Sequence, residues 1–114
     1  MVHRVRDSVR ALAAQGHVVL VGHGSVFMTR DMPGGTHIRL VAPLRLRVEN
    51  FAHSFQVSTL EAAKRLKQAE RRWTTFLKRF WPIQNLAPDR FAATLNTGLL
   101  DESRLVQCIV TLVT

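Results

Sequence analysis

The stretch Val18–Phe27, VVLVGHGSVF, joins five apolar residues to Gly22, His23, Gly24 and Ser25. A buried strand opening into a glycine-containing loop is a common place for α/β proteins to hold phosphate. The loop is not an ATP phosphate loop, which needs a glycine-rich turn followed by Gly-Lys-Ser/Thr. The only lysines are Lys64, Lys67 and Lys78, and none lies near a glycine. A hydrolase elbow, Gly-x-Ser-x-Gly, fails because Val26 and Phe27 follow Ser25. Metal chemistry needs convergent ligands, and His3, His17, His23, His37 and His53 show no H-x-H or H-x-x-x-H spacing. The other charged cluster is AAKRLKQAERRWTTFLKRFW, residues 62–81, whose arginines have the planar fork that fits phosphate oxygens in pairs.

The elements that must carry these residues follow from periodicity and punctuation. Val2, Val5, Val9 and Leu12 predict an amphipathic helix over residues 2–15, with Gly16 as its C-terminal cap. Residues 17–22 predict a strand, 31–35 a turn, and 37–42 a second strand. Pro43 with Leu44, Val48 and Phe51 predicts a short helix. Ser58 and Glu61 form a capping box that opens the longest helix, whose apolar stripe runs through Ala62, Leu66, Ala69, Trp73, Phe76 and Phe80 until Pro82 stops it. A loop is expected over 82–90, a third strand over 91–95 ending in Asn96-Thr97-Gly98, and a last helix from Asp101 through Leu105, Ile109 and Leu112. The pattern is α/β with a small, mostly parallel sheet of about three strands flanked by helices.

Length and composition bound the rest. The 114 residues, 46% of them hydrophobic, read as a single domain, expected to bury roughly two-thirds of its unfolded surface. Cys108 can form no internal disulfide and falls among Val106, Ile109 and Val110, so a core position is expected; so is one for the aromatics of the long stripe. No apolar run is long enough to cross a bilayer, and MVHRVRDSVR has charges where a secretory signal is apolar, which points to the cytoplasm and to no membrane partner. The net charge of +8 concentrates in residues 58–81, which carry seven Lys/Arg against two acids. An anionic partner is implied; nucleic acid is the less favoured one, because the aromatics it would stack on lie on the apolar stripe.

Four segments in register carry a resemblance: VVLVGHGSVFM, HIRLVAPLRLRVEN, AAKRLKQAERRWTTFLKRFW and FAATLNTGLLDESRLVQCIV. Together they resemble the cytidylate kinase-like family of P-loop nucleoside monophosphate kinases from residue 2 to about 112. The resemblance implies a partial P-loop kinase-like three-layer fold and transfer of the ATP γ-phosphate, with Mg²⁺, to an acceptor such as CMP. It assigns Gly22, His23, Gly24, Ser25, Arg47 and Glu70 to acceptor binding, and Arg71 with Arg65 to neutralising the transferring phosphoryl group. Residues 58–81 become the lid-like basic helix. At His23 the family usually has arginine, so one hydrogen bond replaces a fork. Glu70-Arg71 stands for the lid's Asp-Arg, and Asn96-Thr97 matches.

The family's own phosphate loop does not occur in these 114 residues, so the chain is expected to be a C-terminal portion of such a kinase, truncated and very slow by itself. An unpaired sheet edge would favour self-association. Two other readings compete. One is a non-catalytic remnant that binds nucleotide or polyanion through the basic helix. The other rests on VGHGS, which resembles the first-strand loop of small tetrapyrrole metal chelatases; those enzymes use further histidine or acidic ligands later in the chain, whereas the last histidine here is His53.

Overall fold

A computed structural model describes residues 2–22, 24–81 and 88–114. His23 and most of the expected 82–90 loop lie outside the described residues; of that loop, Pro88–Arg90 forms one 3₁₀ turn. The chain forms two compact units, residues 1–37 and residues 38–114.

In the first unit, α1 spans Val2–Gln15, as the valine spacing requires. It ends where Gly16 takes φ +76° and its N–H donates to the Ala13 carbonyl, 3.1 Å away. A short helix, α2 (Ser25–Thr29), follows, in a stretch to which periodicity assigned no element. Arg10 joins the two helices, donating from Nη1 to the Met28 carbonyl at 3.0 Å and to Asp31 Oδ1 at 2.7 Å. The strand expected over 17–22 is not formed: Val19 and Val21 are 87% and 93% exposed. Valine-rich backbone becomes a strand only when a neighbour takes its N–H and C=O groups, and no strand is assigned in this unit among the described residues.

The second unit is built on a parallel two-stranded sheet of β1 (Ile38–Val41) and β2 (Ala93–Asn96), in register Ile38 to Ala93 through Val41 to Asn96. The α/β class therefore holds, with two strands where about three were expected. Between the strands run α3 (Leu44–Phe55) and α4 (Thr59–Phe80). Gln56, in the left-handed region at φ 53°, ends α3. Ser58 Oγ caps α4 by accepting the Glu61 N–H at 3.1 Å. The other half of the expected capping box is replaced: the Glu61 carboxylate turns forward to Arg65 Nε, 3.0 Å away. The last helix, α5 (Glu102–Val113), is capped by Asp101 Oδ1, which accepts the Arg104 N–H at 2.8 Å.

The core is thin. Among the described residues the buried hydrophobics are Phe27, Ala52 and Ala62, and no large side chain is fully buried. Helices α3 and α4 pack on each other, and the buried Ala52 and Ala62 offer small side chains that permit close approach. Two expected core assignments fail. Cys108 is only half-buried, in an open apolar groove with Ala93 and Leu95. Phe76 and Phe80 are exposed, because α4 has 22 residues against 12 in α3 and its last turns outrun the helix it packs on. These rings stack along the helix instead, Trp73 on Phe76 at 5.4 Å and Phe76 on Phe80 at 4.8 Å between centroids.

The sheet and the start of α3 meet closely at Gly98. Thr97 N–H donates to the Val41 carbonyl at 2.8 Å, and Asn96 Oδ1 accepts the Gly98 N–H at 2.9 Å. A Cβ on Gly98 would come within 2.6 Å of Pro43 Cδ, part of a rigid ring. Gly98→Ala is expected to lower unfolding free energy by about 1–3 kcal/mol, the usual effect of overpacking. Gly35→Ala, with nothing within 4 Å of the added methyl, should change it by less than about 0.5 kcal/mol. Urea unfolding of the two variants checks both.

Candidate functional site

The residues singled out by sequence fall in both units. In the first unit, Gly22 has φ +143°, a backbone conformation that side-chain-bearing residues rarely adopt. Gly24 precedes α2, and its carbonyl accepts the N–H groups of Phe27 and Met28 at 3.2 and 3.3 Å. Ser25 begins α2, and its carbonyl accepts Thr29 Oγ1 at 2.8 Å. Gly24 thus supplies the carbonyl on which α2 starts.

In the second unit Arg47 and Glu70, named separately by the resemblance, form an ion pair. Arg47 lies in the first turn of α3 because Pro43, with φ −56°, starts the helix directly after β1. Its Nε donates to the Ala42 carbonyl at 3.1 Å, and its Nη1 pairs with Glu70 Oε1 of α4. The guanidinium is therefore pinned between the end of β1 and the middle of the long helix. Glu70 and Arg71 line a shallow groove with Lys67, Thr74 and Thr75. The sequence reading missed Lys67 and Thr74, although residues 67, 70, 71 and 74 follow the i, i+3, i+4, i+7 spacing of one helix face.

Arg65 is not part of this group. Six residues at about 3.6 per turn put it on a different face from Arg71, where it is held by Glu61.

Around Glu70 stand three cations, Arg47, Arg71 and Lys67. All are partly or largely exposed, so the Arg47–Glu70 pair contributes on the order of 0–1 kcal/mol to stability. Chemically, cations flanking a single carboxylate suit a small oxyanion, although Arg47 reaches this cluster through Glu70 and does not line the groove. No group of three or more His, Cys, Asp or Glu side chains suited to a metal ion occurs among the described residues. No helix among the described residues is long and apolar enough to cross a membrane.

Comparison with protein families finds that the model of the Cytidylate kinase-like family matches residues 1–99. Comparisons with curated proteins and with solved structures return no match.

The titration of Asp31 is displaced. The hydrogen bond from Arg10, and then one from its own backbone N–H, hold its carboxyl below the ordinary carboxylate range. Its folded pKa is depressed, so the contact favours the folded state above the unfolded value of about 3.9. That contribution disappears as pH falls through the lowered folded value. Carbon-detected NMR should show Asp31 titrating below the ordinary carboxylate value of about 3.9, and Arg10→Met should return it to that value.

Proposed function

Because the chain belongs to the cytidylate kinase-like family, we propose that it acts in phosphoryl transfer from ATP to a nucleoside monophosphate of the CMP type, supplying acceptor-side groups. The observation that carries the reading is the Arg47–Glu70 pair with Arg71 beside it. The resemblance assigns Arg47 and Glu70 to acceptor binding and Arg71 to neutralising the transferring phosphoryl group. In this reading Glu70 is a positioning residue that keeps the Arg47 fork extended toward α4. The acceptor phosphate accepts paired hydrogen bonds from Arg47, and Arg71 offsets the charge that spreads over the phosphoryl oxygens in the loose transition state. The loop Gly22–Ser25 belongs to acceptor binding by the same resemblance.

ATP and Mg²⁺ are the donor-side requirements of the family. Mg²⁺ supplies charge neutralisation between the β- and γ-phosphates when bound. These 114 residues contain no Gly-Lys-Ser/Thr loop, and no carboxylate cluster stands among the described ones. The residues present do not fit that group. Phosphoryl transfer by these residues alone is therefore expected to be very slow.

A second reading has its own observation. Lys64, Lys67, Arg71, Arg72, Lys78 and Arg79 of α4 are all exposed, which suits a polyanion bound without chemistry. Salt separates the two. Calorimetric titration with CMP is expected to give one saturable site whose affinity changes little between 50 and 200 mM salt and falls about tenfold or more in Arg47→Met or Arg71→Met, each removing charge-assisted hydrogen bonds. Binding to any polyanion that collapses by about 10³-fold or more over that salt range, and ignores Arg47, would replace the acceptor reading with the polyanion one. Each strand of the two-stranded sheet also has one edge without a strand neighbour among the described residues. Self-association along such an edge belongs to the same proposal. Sedimentation should show a concentration-dependent dimer, and a monomer at all concentrations would remove that part.

A further inference from the structure

The C-terminal half of α4 combines uncovered rings with unopposed positive charge. From Arg71 to Trp81 the cations are Arg71, Arg72, Lys78 and Arg79, and the next carboxylate along the chain is Asp89. Phe76 and Phe80 stay exposed in these turns because α3 is too short to cover them. At 3.6 residues per turn Trp73, Phe76 and Phe80 share one side of the helix, and the nine residues between Arg71 and Phe80 put the rings opposite Arg71. Arg72 and Arg79, seven residues apart and both exposed, run along one flank of the rings. The Arg79 Cζ lies 5.7 Å from the Phe80 centroid. Rings on one face, Lys/Arg on the rest, and charged heads reaching water beside apolar surface are the features of a helix that lies in a membrane interface. The expectation of no membrane partner rested on the lack of a spanning run, which bears on crossing a bilayer and not on lying along one.

Two other occupants fit this face less well. A second copy of the chain brings its own net charge of +8 toward the same cations. Nucleic acid offers phosphates, but the ring faces are turned to one another, Trp73 to Phe76 at 5.4 Å and Phe76 to Phe80 at 4.8 Å, where bases would need open faces to stack on. Acyl chains have no such requirement.

We propose that the C-terminal half of α4 lies on an anionic phospholipid surface. Phe76 and Phe80 enter the boundary between headgroups and acyl chains, and Arg72 and Arg79 meet the lipid phosphates. The proposal does not rest on the acceptor reading, because it uses the side of α4 away from Arg71.

The test mixes the full chain with vesicles of phosphatidylcholine alone, or with about one-third phosphatidylserine, and reads binding by flotation and tryptophan emission. The only tryptophans, Trp73 and Trp81, bracket the exposed rings, so their emission reports the polarity around them. Wild type is expected to float with the anionic vesicles, to shift its emission to the blue, and to bind neutral vesicles at least about tenfold more weakly. Phe76→Ser with Phe80→Ser is expected to lose the blue shift and about tenfold or more in vesicle affinity, while keeping its binding to heparin. Arg72→Gln with Arg79→Gln leaves the rings in place and should weaken anionic-vesicle binding by about tenfold or more. That pair covers the case in which the serine variant does not fold. Heparin binding without flotation would give the cations to the polyanion reading and overturn this one. Equal binding to neutral vesicles, or flotation indifferent to both pairs of substitutions, would overturn it too.

Discussion

The parallel pairing of β1 with β2 is the constraint on which the second unit depends. It joins segments far apart in the chain, and the closing contact, Thr97 Oγ1 and N–H on the Val41 carbonyl, spans 56 residues. The strands must run parallel, so the chain between them has to cross over, and α3 and α4 are that crossover. Where β1 stops is where Pro43 starts α3, and Pro43 is also what Gly98 packs against. The last residue of the sheet therefore sets the first turn of the helix that carries Arg47. A single short joint couples register, helix start and the position of a guanidinium.

Beyond that joint, stability comes from local devices more than from a core. Helix caps at Ser58 and Asp101, the left-handed Gln56 and the glycine end of α1 each satisfy backbone groups close in sequence. Buried apolar volume is confined to Phe27, Ala52 and Ala62 among the described residues. The aromatic run Trp73, Phe76 and Phe80 shields itself by stacking, and the apolar groove beside β2 stays open to solvent. The charged groups are consequently screened by water, and the surface ion pairs of α3 and α4 each contribute little to stability.

Much of this was legible in the sequence. Helix periodicity and caps located α1, α4, α5 and the start of α3 within a residue or two, because those signals are local, while α3 runs four residues past Phe51, the last residue its spacing named. The strands at 38–41 and 93–96 were found for the same reason, and the four-segment resemblance placed the chain in its family. What escaped depends on distant neighbours. Val18–Val21 has the composition of a strand without a ladder to join. Helix α2 is five residues long and lacks a period to read. The stripe through Phe76 and Phe80 has core spacing, yet whether it is covered depends on the relative lengths of α3 and α4. Of the site, Arg47, Glu70 and Arg71 were named and are found together, whereas Arg65 was named and belongs to Glu61.

The central claim is that the groove around Glu70 receives an acceptor phosphate. Amide and arginine Nε chemical-shift mapping during titration with CMP tests it most directly. The account expects the largest shifts within the second unit at Arg47 Nε, Glu70 and Arg71, saturating together. Shifts spread evenly along the cationic face from Lys64 to Arg79, or confined to the groove between β2 and α5, would contradict it.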